Sequence, residues 1–296
     1  VTENSEFLHS FQRKLSFVTG KGGVGKSTIA FTLAKELEKA GSGSVLLVEI
    51  GGSSSIAHLA NLGFEPGFKP QKTPYGFDIA VIDGASCLQE YLGHVLKISK
   101  LAQVFLENKL MKSLIPLAPG LDDLAILGQL TAKIRSHGPI WDYETIVVDS
   151  PSSGAFLSMI QAPIFLSEMV SRGPLNKQSA GIFKVLSDSK LCKYLFLTLP
   201  EVFPVDELIE SSNNFSQAFE MPFEVVLNKM IPEASVAKSC SEKFAVEFSK
   251  KYRGQIEFQG KMVTKLKAHF SKAVGMKLDL SESLFKKDSS CQFLKI

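Results

Sequence analysis

Phe17–Thr28 reads FVTGKGGVGKST, and the architecture of the whole chain can be worked out from it. Gly20, Gly25, Lys26 and Ser27 complete the pattern G-x-x-x-x-G-K-[ST], a loop that cradles phosphates between a strand and a helix. Its flanks agree with that setting. Lys14–Thr19 (KLSFVT) is a short apolar run suited to a buried strand, and Gly25–Ala40 carries apolar residues at helical spacing. Each residue type in the loop has a chemical task. Gly20, Gly22, Gly23 and Gly25 let the main chain turn tightly, so that N–H groups along the stretch, Val24 included, approach phosphate oxygens. The helix that follows adds the positive end of its dipole. Lys26 reaches the β- and γ-phosphates, Ser27 offers a hydroxyl to Mg²⁺, and Thr28 donates to the α-phosphate.

Outward from the loop, short apolar runs alternate with longer segments of helical period. Val45–Ile50 (VLLVEI), Phe77–Asp83, Thr145–Asp149, Tyr194–Leu199 and Phe223–Asn228 are the further predicted strands. Continuous apolar runs fit strands covered on both faces, and their alternation with helices predicts a doubly wound α/β fold with a mostly parallel sheet. Gly51–Gly76 is rich in Gly, Ser and Pro and reads as loops. Residues 85–136 read as a helical subdomain inserted between two strands, so that residues 1–296 form a single domain with an added helical layer.

Composition narrows the function. The chain has 296 residues, 45% hydrophobic and 21% charged, which suits one large buried core. A net charge of +3, from 33 basic and 30 acidic residues, is too balanced to argue by itself for a nucleic-acid or membrane surface, and neither contact is expected. Cys87, Cys192, Cys240 and Cys291 are scattered with no CxxC pair, as expected of cytosolic thiols rather than disulfides or zinc ligands. Val1–Lys14 has no apolar leader region, and no run approaches the roughly 18–20 apolar residues that span a bilayer. A cytoplasmic location is the expectation.

Lys21 sharpens the class. The spelling GKGGVGKS, Gly20–Ser27, resembles the deviant P-loop of the SIMIBI NTPases. The resemblance implies that Lys21 contacts nucleotide across a dimer interface, as an arginine finger does. Further stretches resemble the superfamily of arsenite-pump (ArsA) and tail-anchored-protein-targeting ATPases. They are Asp149–Gly154 (DSPSSG), Ala118–Gln129 (APGLDDLAILGQ), Arg172–Leu186 (RGPLNKQSAGIFKVL), Thr198–Glu201 (TLPE) and Val225–Lys229 (VVLNK). The resemblance runs from about residue 14 to 230 and weakens beyond. It implies a dimeric ATPase switch that binds and hydrolyses Mg-ATP, cycles between ATP and ADP, and controls a protein partner. Lys21 and Lys26 would be its catalytic cations, Ser27 and Asp149 would serve Mg²⁺, and Asn228 would meet adenine. From the residues alone, Asp149 can also be a helix N-cap and Asn228 a strand-end turn residue, and Asp83 is either catalytic or a turn former, the turn being favoured.

Three departures from that pattern bear on activity. The family's water-positioning aspartate has Gly51 in its place, within Glu49-Ile50-Gly51-Gly52-Ser53, so Glu49 is the candidate substitute. The zinc-binding CxxC of the targeting branch is missing. There is neither a cysteine trio for arsenite nor a second nucleotide-binding half. Two other readings follow: a catalytically weak subunit of a heterodimer with a paralogue, rather than a homodimer, or a membrane-surface ATPase similar to MinD through Leu278–Lys287. Val104, Phe105, Met111, Leu114 and Ile115 are candidate groove residues for a hydrophobic client.

Overall fold

The computed structural model describes residues 8–98, 120–170, 172–231, 243–270, 273–276 and 293–295. Among them, the apolar runs pair into a nine-stranded sheet with the order β3-β4-β2-β5-β1-β6-β7-β8-β9. The strands are β1 (Leu15–Gly20), β2 (Val45–Ile50), β3 (Gln71–Lys72), β4 (Asp78–Ile82), β5 (Thr145–Ser152), β6 (Cys192–Thr198), β7 (Phe223–Leu227), β8 (Ala273–Met276) and β9 (Phe293–Lys295). Only the edge pairs β3–β4 and β8–β9 are antiparallel. Every residue of β1 is buried, as a central strand covered on both faces requires.

The helices divide unequally between the two faces. α1 (Lys26–Lys39) and the short α2 (Ser55–Leu59) pack on one face, where Phe31, Leu33, Leu37 and Ile56 meet Val18, Leu47 and Leu195. The other face carries α3 (Gly84–Ile98), α4 (Leu121–Arg135), α5 (Ser153–Met169), α6 (Pro174–Leu186), α7 (Val202–Phe219) and α8 (Lys243–His269). Its core is aromatic. Phe17 stacks on Tyr194 with ring centroids 5.4 Å apart, Tyr194 meets Phe215 at 4.7 Å, and Phe156 and Phe196 close the cluster. The Tyr194 hydroxyl donates to Leu186 O at 2.7 Å, so the buried phenol keeps a partner.

The doubly wound, mostly parallel sheet is as the sequence predicts; the glycine-rich stretch after β2 is more ordered than predicted, since it holds α2 and β3. From the helical region, α3 and α4 lie between β4 and β5 and pack together. They come so close that a Cβ on Gly84 would lie 2.3 Å from Cβ of Asp122. Residues 99–119, with the groove candidates Val104, Phe105, Met111, Leu114 and Ile115, are outside the described residues, and so is Leu278–Lys287. No described helix is long and apolar enough to cross a membrane.

Candidate functional site

Parallel pairing brings the C-terminal ends of the central strands to one edge, where ligands bind in open α/β sheets. The register sets the neighbours: Asp149 of β5 lies beside Val18 of β1 and Glu49 of β2, and Gly20 lies beside Leu197 of β6. The glycine loop rises from this edge. Gly20 has φ of 148°, and a Cβ there would sit 2.3 Å from the backbone oxygen of Leu197, which cannot move aside. Gly25 has φ of 95° and caps α1 with no side-chain hydrogen bond. The first N–H groups of α1 are therefore left for an anion.

Asn228, just past β7, braces this loop from beneath. It is 1% exposed, and its Nδ2 donates to Val24 O at 2.7 Å. Its Oδ1 accepts from Lys229 N at 2.8 Å, and the Lys229 ammonium reaches Gly23 O at 3.0 Å. A Cβ on Gly25 would lie 2.5 Å from Asn228 Nδ2, so that glycine also makes room for the brace. Neither Lys229 nor this use of Asn228 has a signal in the sequence, because the contact joins segments about two hundred residues apart.

Lys26 extends back over the loop toward Lys21 O at 3.4 Å, and burial lowers the pKa of its ammonium against the opposing pull of Asp149. Asp149 belongs to β5, three positions before the last residue of that strand, with Ser152 as the N-cap of α5, so it is not a helix cap. Its carboxyl is 8% exposed beside the Ser27 hydroxyl, while Oδ1 is buried with no partner. Burial pushes the group up to about 6, although Ser27 and Lys26 pull it down. A buried, incompletely satisfied carboxylate beside a hydroxyl fits a hard divalent cation that takes its other ligands from phosphates and water. The described residues contain no cluster of three or more His, Cys, Asp or Glu that could hold a metal.

Lys21 forms an ion pair with Glu207 of α7 at 2.9 Å, and the other oxygen of Glu207 accepts from the Ser153 hydroxyl at 2.9 Å. Burial works to raise the Glu207 carboxyl, but its bonds to Lys21 and Ser153 hold it below the usual range. Both side chains of the pair are over a third exposed, so the bridge contributes roughly 0.2–1 kcal/mol and exchanges readily. Glu49 is 4% exposed. It accepts from Ser54 Oγ and from the backbone N–H groups of Ser55 at 2.9 Å and Ile56 at 3.1 Å, at the start of α2. Burial raises its pKa, with Asp149 adding to the effect. Asp83 accepts from Ser86 N at 2.7 Å and so secures the first turn of α3.

A sequence profile of anion-transporting ATPases matches residues 13–182, more than half of the chain. The chain belongs to this ATPase family. Curated relatives include ATPase BagA of Mycobacterium tuberculosis, 32% identical over 228 residues, which are 74% of this chain and 66% of that protein. ATPase get3 of Botryotinia fuckeliana is 30% identical over 160 residues, 53% of this chain and 44% of the relative. ATPase GET3 of Podospora anserina is 29% identical over 175 residues, 57% and 49% of the two chains. The chain thus spans just under two thirds, or less, of these relatives. Membership in the family implies a nucleotide site, and the profile match contains the glycine loop, Lys26 and Asp149. Asn228, Glu207 and α8 lie outside it.

Proposed function

We propose that this protein is an ATPase switch: it binds and hydrolyses Mg-ATP as a dimer, and its nucleotide state controls a protein partner. The observation that carries the reading is the meeting of uncapped α1 amides, Lys26, Ser27 and the part-satisfied buried Asp149 at one sheet edge. The amides and Lys26 hold the phosphates and offset their charge, acting where negative charge grows during transfer. Ser27 and Asp149 would hold Mg²⁺ directly or through its water shell; when bound, it draws charge from the terminal phosphate oxygens. Asn228 holds the loop in shape, and by the family resemblance it is the residue that would meet adenine.

Lys21 is the proposed link to the dimer. In the single chain it rests on Glu207, and the weakness of that pair leaves it free to meet a partner subunit's phosphates. ATP then favours the closed dimer because that state binds it better. Steady-state ATP turnover, measured beside Lys26→Ala and Lys21→Ala, tests the proposal. Turnover should fall by 100-fold or more in Lys26→Ala. No magnesium-dependent uptake of ATP or ADP by calorimetry would sink it.

A second reading rests on two specific observations. Gly51 stands where a water-orienting aspartate is expected, and Glu49, the candidate substitute, is engaged by α2. A nucleotide-binding subunit that depends on a competent paralogue would bind ATP tightly yet turn it over no faster than Lys26→Ala.

A further inference from the structure

A cavity of about 480 Å³ opens beside the glycine loop, between the ends of β6 and β7 and the middle of α8. Lys229 ties it to the phosphate site, since it lines the cavity and its ammonium also rests on Gly23 O. Leu199 and Pro200 line it on the sheet side, Ile231 on the loop side, and Phe258 of α8 faces them. Phe258 is 40% exposed, so part of its ring is open to a ligand in the cavity.

The cavity is built rather than incidental. Gln259, the next residue along α8, is 6% exposed and holds both main-chain groups of Ile231: its Oε1 accepts from Ile231 N at 3.0 Å, and its Nε2 donates to Ile231 O at 2.8 Å. That two-point clamp fixes α8 against the loop after β7 and so places Phe258 at the rim. Gln255, one helical turn earlier, also lines the space with an amide that can both donate and accept. Half of the lining is polar, with Glu201, Lys229 and Lys251 charged beside Gln255 and Gln259; such groups among apolar walls, next to a phosphate loop, suit a planar heterocycle with hydrogen-bonding edges carried by the phosphates.

We propose that α8 forms the outer wall of the base subsite, with Phe258 stacking on the nucleotide base and Gln255 reading its edge, which makes α8 a determinant of purine preference. This rests on the nucleotide-switch reading above and assigns a task to a helix outside the family match. Stacking strength grows with ring size, so a purine gains more than a pyrimidine from the same phenyl face. The surface position of Phe258 allows its replacement without opening the core.

Calorimetric titration of the full chain with Mg²⁺ and ATP, CTP or inorganic tripolyphosphate tests this. Phe258→Ala should weaken ATP by about 5- to 100-fold, as expected for losing one base–aromatic stack. It should narrow the gap between ATP and CTP and leave tripolyphosphate unchanged, while Phe258→Trp should restore ATP affinity. Wild-type ATP affinity in Phe258→Ala would overturn the assignment and leave the switch reading standing. So would an equal loss of ATP and tripolyphosphate, or failure of Phe258→Trp to restore binding. A wild-type chain that binds neither ligand would remove both.

Discussion

Asp149 shows how a single side chain can be costly to the fold and useful to the site. Its folded pKa of about 6 lies above the ordinary 3.8, so the folded chain holds more protons than the unfolded one between those values. Stability therefore falls as pH rises from about 4 to about 6, and above that the cost is complete, roughly 3 kcal/mol. Asp149→Asn removes the charge and keeps a neighbour for Ser27. We expect the ligand-free variant to be 1–3 kcal/mol more stable than wild type at pH 7, on the order of the pKa cost, with little difference near pH 4. Magnesium-dependent ATP affinity should drop at the same time. Urea denaturation at the two pH values decides the matter, and an Asn variant less stable than wild type at pH 7 would show that the carboxylate is satisfied. The candidacy of Asp149 was legible in DSPSSG, but its orphaned oxygen was not, because burial depends on what β1 and β2 place around it.

The helix α2 carries a lesson about local signals. GGSSSIAHL has too many small polar residues to announce a helix, yet Ser54 accepts from Ala57 N at 2.9 Å and Glu49 meets the two preceding amides. A negative group at a helix N-terminus is favourable, and here the carboxylate comes from the preceding strand rather than from the helix itself. Glu49→Gln keeps the shape but loses one acceptor oxygen and the charge. Because the cost of burying the charge opposes the bonds it makes, we expect stability to change by no more than about 1 kcal/mol and ATP turnover to fall far less than in Lys26→Ala. Thermal unfolding together with turnover checks this. A fall in turnover matching Lys26→Ala, at unchanged ATP affinity and stability, would make Glu49 the residue that orients water. Gly51 and Glu49 were visible in sequence as a departure from the family, but the register of β2 was needed to see where Glu49 turns.

The single chain leaves Lys21 on Glu207, and the proposed switch needs a second subunit. Light scattering should report a larger mass with a non-hydrolysable ATP analogue than with ADP, and Lys21→Ala should remove most of that difference. Equal mass with both nucleotides, together with unchanged small-angle scattering, would sink the switch and leave a static nucleotide-binding protein. The weak Lys21–Glu207 pair sets the scale: release of the lysine costs no more than about 1 kcal/mol, small against what a triphosphate can return.

Much of this protein is written locally. Glycine spacing, the paired lysines and apolar runs of strand length dictate a phosphate loop on a parallel sheet, since each follows from short-range backbone freedom or from burial on two faces. Other features depend on distant segments meeting: Asn228 beneath Val24, Glu207 beside Lys21 and Ser153, and Phe258 and Gln259 over the loop after β7. No local pattern encodes such encounters, because strand order and helix packing choose which residues become neighbours, and neighbours determine whether a charge is satisfied, stranded or free to move.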